Sequence, residues 1–409
     1  MLLDSAKPLG HLTYCTNIHA GESWADVLAS LRRHLPEIKA EIAPDRPLGV
    51  GLRLSASAAE TLCDPAAFCE LQDLLKTGDY YIFTFNGFPF GAFHGQKVKE
   101  GAYRPDWTDP ARLRYSNILA DHLAKLLPPG MEGSISTVPG TFKPWATGPD
   151  GAAVVDAIVE NILRHVAHLV SIHETGGQVI NLCLEPEPFC LIETIAETVT
   201  FYRDRLYSDA AASRLAHLTG RTQAAAAAAL RRHLGVCYDV CHAAVEFEDP
   251  RASLDALKDA GIKISKLQLS SAMRIPLVGA GTVEQLQAMD EPVYMHQVIQ
   301  NRDGTLTRYP DIPDALQAMD AAQGSEWRIH FHVPIFLEEM RSVATTQQFL
   351  KDVLAIHAEA PVTEHLEVET YTWDVLPESY RTAGLSAAIA RELAWVRDQL
   401  ALTAKGAKS

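Results

Sequence analysis

Two short segments of the chain place carboxylates directly after apolar runs. Glu185 and Glu187 follow one such run, whereas Asp239 ends the other and His242 comes three residues later. In a parallel α/β barrel the carboxyl ends of the strands point into the mouth where chemistry takes place. Carboxylate oxygens beside an imidazole nitrogen suit a bound divalent metal ion. The two segments therefore predict a metal site, provided that other strands end in further ligands.

Later segments of the chain supply groups of the same kind. Gln268 lies at the end of an apolar run, and Glu369 directly follows another. His330 and His332 are two positions apart, so on a regular strand both side chains would lie on the same face. A single carboxylate after a strand is more often a helix cap or an ion-pair partner. It is the joint pattern over several strands that favours a metal.

This mixed set of oxygen and nitrogen donors favours one Zn²⁺ or Mn²⁺ ion per chain over a cysteine-rich structural zinc. We prefer His332 to His330 as a ligand because Val333-Pro334 ends the strand that carries them. The predicted metal ligands are Glu185, Asp239, Gln268, His332 and Glu369, with His242 and His330 as further candidates.

Strand patterns and helix patterns alternate along the chain. Regular alternation implies a parallel sheet with right-handed crossovers, and eight such units over 409 residues predict a (β/α)8 TIM barrel. The strands are expected at Leu12–Asn17, Leu48–Leu54, Tyr80–Phe85, Ser134–Val138, Gln178–Leu184, Gly235–Tyr238, Lys263–Leu269 and Leu366–Val368. The helices are expected around Ser23–Leu35, Leu71–Leu75, Tyr115–Leu127, Ala152–His173, Ile192–Tyr207, Ala224–Ala229, Ser253–Asp259 and Leu385–Leu400.

One strand-like segment, Arg328–Val333, is left over from this pattern. It fits inside a long connection that precedes the last barrel strand. We expect a single barrel domain over residues 1–403 with insertions at about 87–112 and 272–327, followed by a flexible tail at 404–409. Long loops that follow barrel strands commonly cover the C-terminal mouth, so both insertions are expected to form a lid.

The composition excludes several classes of function. The formal net charge of −15 argues against a nucleic-acid partner, which needs a basic surface. The first ten residues lack the pattern of a signal peptide, and no apolar stretch is long enough for a membrane span. Seven scattered cysteines fit a reduced, cytoplasmic protein, and Cys237 and Cys241 are expected to be buried thiols rather than zinc ligands. A small-molecule metabolite is the expected partner, and the oligomeric state stays open.

Further candidates for substrate contact come from the early loops and the insertions. The insertion after the third strand is rich in aromatic residues and glycines, which would let the backbone approach a ligand closely. For each of these side chains, an ordinary structural role is at least as good an interpretation as substrate binding. These roles are a position in a solvated loop, packing within the insertion, or a plain surface charge. The predicted substrate-binding residues are His19, Asn86, Phe88, His94, Trp107, Lys143 and Arg274.

Two motifs resemble segments of a known superfamily. The run from Glu185 to Pro188 resembles the Glu-Pro-Lys-Pro segment of xylose isomerases, whose glutamate binds metal. The run from Gly235 to His242 resembles the Gly-Val-Cys-x-Asp-Thr-Cys-His segment of the second family of apurinic endonucleases, in which the aspartate and the histidine ligate metal. The chain therefore resembles the xylose isomerase-like TIM barrels, which include sugar isomerases, sugar epimerases and these endonucleases.

The resemblance extends to the later site positions. Gln268 falls where the superfamily has histidine or aspartate, His330-Phe331-His332 falls where the endonucleases carry Asp-x-His, and Glu369 matches the carboxylate of the last strand. The resemblance implies that Glu185 and Glu369 face each other across the substrate and move a proton. It also implies that His242 steadies a substrate oxygen, as in the epimerases.

Two departures narrow what the resemblance implies. Glu187 stands where xylose isomerases have lysine, which argues against a lysine-assisted hydride shift and leaves Glu187 as an additional acid or base. The endonucleases take two histidines from strands three and four, whereas those strands end here in Asn86 and near Pro139. A single metal ion is therefore expected rather than a trinuclear cluster.

Nearly the whole chain also resembles a narrower group, the EboE-type metabolite-traffic proteins of bacterial Ebo gene clusters. The resemblance rests on Leu12–His19 with Gly21-Glu22, Phe83–Pro89, Phe93-His94-Gly95, Pro105-Asp106-Trp107, Gly133–Thr137 and His332-Val333-Pro334. It implies a role in processing or delivering a secondary metabolite and partners from the same gene cluster, but it does not specify a reaction.

Three hypotheses of function follow from these observations. The leading one is a metal-dependent isomerase or epimerase-like enzyme that acts on a small hydroxycarbonyl or polyol-like metabolite, with Glu185, Glu369, His242 and Glu187 as catalytic residues. The alternative is a barrel that binds or escorts a metabolite without converting it. A metal-dependent phosphodiesterase or endonuclease-like hydrolase is disfavoured by the net charge and by the missing early histidines.

Overall fold

A parallel eight-stranded sheet forms the centre of the molecule. The computed structural model describes residues 1–4, 8–92, 98–287, 293–340, 343–376, 381 and 384–406. The strands in these residues are β1 (His11–Tyr14), β2 (Leu48–Arg53), β3 (Tyr80–Asn86), β4 (Gly133–Thr137), β5 (Ile180–Leu184), β6 (Leu234–Asp239), β7 (Lys263–Leu269), β8 (Met273–Ile275), β9 (Val298–Arg302), β10 (Thr305–Tyr309), β11 (Glu326–Ile329), β12 (Glu339–Met340), β13 (Val343–Thr345) and β14 (His365–Val368).

The central sheet has the strand order β1-β14-β7-β6-β5-β4-β3-β2, and its neighbouring strands are parallel. The remaining seam, between β1 and β2, carries an isolated backbone bridge from Cys15 to Gly51. The Thr13 hydroxyl also spans it, accepting from the Gly51 amide at 2.8 Å and donating to the Gly49 carbonyl at 2.8 Å. The chain is thus a (β/α)8 barrel, and each of its eight strands overlaps a strand predicted from the sequence.

Helices connect the barrel strands and pack around them. They are α1 (Trp24–Ile42), α2 (Ala56–Thr61), α3 (Pro65–Gly78), α4 (Pro110–Leu126), α5 (Gly151–Gly176), α6 (Ile195–Phe201), α7 (Asp209–Thr219), α8 (Gln223–His233), α9 (Val240–Val245), α10 (Pro250–Asp259), α11 (Thr282–Gln287), α12 (Ile312–Gln317), α13 (Met319–Ala322), α14 (Gln347–Glu359) and α15 (Leu385–Gly406). Capping boxes at Ser23 and Thr194 begin α1 and α6. The helix expected over Ile192–Tyr207 is shorter, because α6 ends at Phe201 and a π-helical turn follows.

The long connection after β7 forms a sheet of its own, which the sequence pattern did not predict. Its strands follow the order β10-β9-β11-β8-β13-β12, and their pairings are antiparallel. β9 and β10 are joined by Asp303-Gly304, both with positive φ, the typical signature of a two-residue hairpin turn. The expected strand Arg328–Val333 was placed too late, because β11 covers Glu326–Ile329 and leaves both histidines beyond its end.

An ion pair lies inside the barrel, where these folds usually pack apolar side chains. Lys266 of β7 and Glu367 of β14 are both fully buried, and the Lys266 Nζ lies 2.6 Å from the Glu367 Oε1. Gly51 on β2 provides the space, because a Cβ at this position would overlap the Glu367 carboxylate. The pair lies two residues before Gln268 and Glu369 on the same strands, so it occupies the side-chain layer beneath the mouth.

A second buried acid, Glu392 of α15, ties this helix to the loops of the mouth. Its Oε1 accepts from the Thr370 hydroxyl at 2.7 Å and from the Ile335 amide at 3.1 Å. Burial raises the pKa of Glu392 to about 7. An unfolded glutamate has a pKa of about 4.3. Between about pH 4.3 and pH 7, the folded protein therefore keeps a proton on Glu392 that the unfolded chain has released.

We expect Glu392→Gln to remove a pH dependence of stability. Because the folded-state pKa is raised, wild-type stability is lost as the pH rises from about 4.3 through about 7, by about 4 kcal/mol in total. Glutamine does not titrate, so the variant should gain about 2.5 kcal/mol on wild type between pH 5 and pH 8, the rest of the loss falling below pH 5. Urea unfolding of both proteins with chelator present measures the difference. A difference that stays constant over this range would contradict the assignment.

Candidate metal centre

Four neighbouring barrel strands deliver polar side chains to one point of the mouth. Glu185 follows β5, Asp239 ends β6, Gln268 lies near the end of β7, and Glu369 follows β14. Asp239 and Gln268 are paired in register, and the Glu369 amide donates to the Leu269 carbonyl at 3.1 Å. One oxygen from each of Glu185, Asp239 and Glu369 lies within 4.8 Å of the other two. The three carboxylates are buried, which brings their charges together away from solvent.

Asp239 is held by the helix that it begins. It is the N-cap of α9, and its Oδ1 accepts from the His242 amide at 3.0 Å and from the Ser270 hydroxyl at 2.7 Å. Its Oδ2 is buried and has no hydrogen-bond partner among the described residues. One oxygen therefore fixes the side chain, and the other is left to face the cluster.

Glu369 is held by two amide side chains. Its Oε1 accepts from the Asn17 Nδ2 at 2.7 Å and from the Asn86 Nδ2 at 2.9 Å. The Asn86 Oδ1 in turn accepts from the Phe88 amide at 3.1 Å. Asn86, predicted to bind substrate, thus lines the cavity but uses its amide to position Glu369. Asn17, which the sequence analysis placed at the end of the first strand, is 2% exposed and does the same.

The shared burial of these carboxylates opposes their ionisation. Burial and the Glu369 charge raise the pKa of Glu185 well above its usual range. Burial also raises the pKa of Glu369, although the neighbouring His332 counteracts part of this effect. Because two amides donate to Glu369 whereas the Glu185 Oε2 has no partner among the described residues, a proton shared by the pair resides on Glu185.

Three histidines lie beside the carboxylates, and their hydrogen bonds define their tautomers. The Nδ1 of His242 lies 2.9 Å from the Pro186 carbonyl, and the Nδ1 of His332 lies 3.1 Å from the Glu369 carbonyl. A carbonyl oxygen can only accept, so each Nδ1 carries the proton and each Nε2 presents a lone pair. The His330 Nε2 lies 3.2 Å from the His242 Nε2.

The donor set fits a divalent cation. Nitrogen and oxygen atoms of Asp239, His242 and His332 lie within 4.8 Å of one another, as do those of Glu187, His242 and His330. The Glu185 Oε2, the Asp239 Oδ2 and the His332 Nε2 are buried without a partner among the described residues. Such atoms cost free energy unless something pairs with them, and a cation is a partner suited to both carboxylate oxygens and an imidazole lone pair. The Cys241 thiol is also nearby, but burial raises its pKa well above the usual range and keeps it protonated.

A cavity of about 60 Å³ opens beside this cluster. Aromatic side chains form part of its wall, and Asn17 and Asn86 also line it. The lining aromatic residues are Phe88, Tyr103, Tyr294 and Tyr371. Lys99 also lines the cavity, and its Nζ lies 2.6 Å from Asp311 Oδ2. Glu185, Glu187 and Glu369 line the cavity, so a group that enters it would contact carboxylates.

Glu187 also lines this cavity. Its Oε1 accepts from the Tyr103 hydroxyl at 2.7 Å, and burial raises its pKa to about 8. Tyr103 belongs to the first insertion, so this bond ties the insertion to the barrel mouth. Glu187 therefore stands as a neutral, proton-bearing group next to the histidines near neutral pH.

Four of the residues predicted to bind substrate do not line the cavity. His19 stacks on His34 with ring centroids 4.5 Å apart, and the buried Trp107 donates from Nε1 to the Thr137 hydroxyl at 3.1 Å. Lys143 pairs with Glu193 and Glu197, and Arg274 pairs with Glu326. The charged members of this group are thus engaged elsewhere. His94 lies outside the described residues.

The structure adds residues at the site that the sequence analysis did not predict. Tyr371, two residues after Glu369, and Tyr294 line the cavity, whereas Gln297, directly before β9, contacts Glu187 and His330. A tyrosine two residues after the last-strand carboxylate was a local signal for Tyr371. Tyr294 and Gln297 had no comparable signal, because only the folding of the second sheet brings them to the mouth.

Comparison with known proteins gives distant structural likeness alone. No protein-family model and no curated protein sequence matches the chain. A xylose isomerase domain protein from Alicyclobacillus acidocaldarius is 11% identical, with 97% of this chain and 100% of that chain covered and a TM-score of 0.46. The probable 3-DHS dehydratase AsbF of petrobactin synthesis from Bacillus anthracis is 12% identical, with 94% and 97% covered and a TM-score of 0.44.

An L-ribulose 3-epimerase is also 12% identical, with 98% of this chain and 97% of that chain covered and a TM-score of 0.43. Likeness at this level carries no argument about activity, and the barrel assignment rests on the strand order. Among the described residues, no helix combines the length and the apolar character that crossing a bilayer requires.

Proposed function

We propose that the chain is a divalent-metal-dependent isomerase or epimerase-like enzyme that acts on a small hydroxycarbonyl or polyol-like metabolite. The observation that carries this proposal is the cluster of three buried carboxylates, Glu185, Asp239 and Glu369, beside a small cavity. A buried cluster of like charges is unfavourable unless a cation or a reaction makes use of it. We propose Zn²⁺ or Mn²⁺, at one ion per chain.

The proposed ligands are Glu185, Asp239, Gln268, His332 and Glu369, with His242 and His330 as further candidates. A divalent ion held there would polarise substrate oxygens and offset the negative charge that develops when a proton leaves the neighbouring carbon. The orphaned buried oxygens of Glu185 and Asp239 support this set. The aromatic wall would exclude water from the reacting carbon.

The two glutamates are suited to opposite halves of a proton transfer. Glu369, held by Asn17 and Asn86, is set up to accept a proton from the carbon next to a carbonyl. Glu185 would give a proton either to the opposite face of the same carbon, which is epimerisation, or to the neighbouring carbon, which is aldose–ketose isomerisation. Isomerisation also requires the hydroxyl proton to pass from one substrate oxygen to the other. The proton taken up by Glu369 must return to Glu185 before the next turnover, so both reactions balance without a further reactant.

Two further groups have proposed roles. His242, with its Nδ1 bound to the Pro186 carbonyl, would steady a substrate oxygen. Glu187 would act as an additional acid or base, since its raised pKa keeps a proton available. Glu187 stands where a lysine-assisted hydride shift would need an amine, which supports a proton transfer through the carboxylates. His19, Trp107, Lys143 and Arg274 are not part of this proposal.

The metabolic setting is also a proposal. The resemblance to EboE-type metabolite-traffic proteins supports a role in processing or delivering a secondary metabolite, together with partners from the same gene cluster. We further propose that residues 1–403 act as one barrel unit, with the second sheet covering its mouth. These proposals are independent of the identity of the metal.

Metal content provides the first test. Purified wild type should hold about one Zn²⁺ or Mn²⁺ per chain by elemental analysis, and Glu185→Ala/Glu369→Ala should hold none. The matched control is Glu246→Ala/Glu248→Ala, which removes the buried Glu246 and the half-buried Glu248, both outside the cavity, and should keep the metal. Absence of stoichiometric metal from wild type, even after metal is added back, would contradict the proposed centre.

Turnover is tested by deuterium exchange. A panel of neutral sugars and hydroxycarbonyls is incubated with the metal-loaded protein in D₂O and followed by proton NMR. Proton transfer through the carboxylates should incorporate deuterium at the carbon next to the carbonyl. Binding without exchange or conversion would instead assign the barrel to a metabolite-binding or escort role.

A further inference from the structure

Gln297 joins both insertions to the metal centre. It lies directly before β9 and is fully buried. Its Nε2 donates to the Tyr103 hydroxyl at 2.8 Å and to the Pro188 carbonyl at 3.2 Å, and its Oε1 lies 2.8 Å from the Nδ1 of His330. The His330 amide also donates to the Gln297 carbonyl at 2.9 Å. One side chain therefore contacts the first insertion, the loop after β5 and a histidine of the centre.

The surroundings define which way the Gln297 amide points. The carbonyl of Pro188 can only accept, and the Glu187 Oε1, 3.4 Å away, already accepts from the Tyr103 hydroxyl. The amide nitrogen must face these acceptors, because the opposite orientation would place oxygen against oxygen. The amide oxygen then faces His330, so the His330 Nδ1 must carry the proton. This leaves the His330 Nε2 as a lone pair.

The same reasoning gives an unusual arrangement of nitrogen atoms. The His330 Nε2 lies 3.2 Å from the His242 Nε2, and His242 has its proton on the Nδ1 that donates to the Pro186 carbonyl. Two lone pairs thus face each other inside the protein. His330 would relieve this contact by moving its proton to the Nε2, if the amide oxygen of Gln297 did not retain it on the Nδ1.

We propose that Gln297 is a positioning residue that keeps His330 in the Nδ1–H tautomer and so presents the His330 Nε2 to the metal centre. The same amide holds Tyr103 against Glu187, which links the position of the first insertion to the state of the histidine. The inference deepens the proposed function, because the presented nitrogen has a use only in a metal centre. The tautomer itself is a property of the metal-free protein and is tested there.

The test compares Gln297→Met, Gln297→Glu and the control Gln300→Met. Methionine keeps the volume and removes the amide, whereas a protonated glutamate keeps an oxygen that accepts from His330 and an O–H that faces the Pro188 carbonyl. Gln300 lies in the same sheet with its Oε1 bound to Tyr309 and Trp327, and it does not line the cavity. Two-bond ¹H–¹⁵N NMR of histidine-labelled, metal-free protein reports the tautomer, with His330 assigned from a His330→Asn variant.

We expect His330 as the Nδ1–H tautomer in wild type, Gln297→Glu and Gln300→Met, and loss of that preference in Gln297→Met. Zn²⁺ affinity, measured by competition with a chelating dye, should fall about 10–100-fold in Gln297→Met and stay near wild type in Gln300→Met. An Nε2–H tautomer in wild type, or an unchanged tautomer in Gln297→Met, would overturn the inference.

The design separates this inference from the proposed function. If wild type binds no metal but shows the Nδ1–H tautomer that Gln297→Met loses, the positioning role stands and the metal centre fails. If metal binds at one per chain but the tautomer does not depend on residue 297, the metal centre stands and the positioning role of Gln297 fails. If Gln297→Met does not fold, Gln297→Glu decides, because an Nε2–H tautomer in that variant would contradict the role of the oxygen acceptor.

Discussion

Glu185→Gln and Glu369→Gln are each expected to lower turnover by about a thousandfold while the barrel stays folded. Glutamine keeps the size of the side chain but can neither accept nor return a proton. Because both carboxylates act on the same proton transfer, the double variant should be only slightly slower than either single variant. The measurement is deuterium exchange into the substrate identified from the panel, with each variant saturated with metal.

The matched control for this experiment is Glu246→Gln. Glu246 is a buried carboxyl at the end of α9, paired with Arg308 and outside the cavity. It should retain activity close to that of wild type. Circular dichroism and a metal titration show whether each variant is folded and loaded. Near-normal exchange in both site variants would exclude the proposed proton transfer.

Lys266→Met is expected to destabilise the protein by about 3–5 kcal/mol at pH 7, because it leaves the Glu367 charge buried without its partner. Both side chains are fully buried and 2.6 Å apart, so solvent does not screen the loss. Urea unfolding of metal-free wild type and variant at pH 7 measures the effect.

The double variant Lys266→Met/Glu367→Gln completes a double-mutant cycle on this ion pair. It removes both charges, so we expect it to be markedly more stable than Lys266→Met alone. If the single variant lost less than about 1 kcal/mol, the buried ion pair would have no structural role. The cycle is independent of metal because chelator is present throughout.

The barrel was predictable from the sequence because its signals are local and repeated. The eight parallel strands are short apolar runs separated by helix patterns, and β5, β6 and β14 each lie within a residue or two of their expected positions. The strand-end carboxylates follow from the same logic, since parallel strands bring their carboxyl ends to one edge. Their roles as ligands or catalysts stay predictions until a metal or a substrate is measured.

The second sheet was not predictable to the same degree. Its strands are short, and β8, β12 and β13 have three residues or fewer. Only the Asp303-Gly304 turn gave a signal of the kind that identifies a hairpin. Gln297 and Tyr294 depend on this sheet for their position, so the sequence could not place them. Asn17 and Asn86 were visible at strand ends, but their shared bond to Glu369 appears only in three dimensions.

The seam between β1 and β2 has a consequence for hydrogen exchange. Two threonine hydroxyls take the place of backbone acceptors there, with Thr13 accepting from the Gly51 amide and Thr16 from the Arg53 amide. A side chain leaves its acceptor position by one bond rotation, whereas a backbone ladder opens only when a whole strand moves. The Gly51 and Arg53 amides should therefore exchange with solvent sooner than those of β6 and β7. Local opening of the barrel would begin at this seam while the strands that carry Asp239 and Gln268 stay paired.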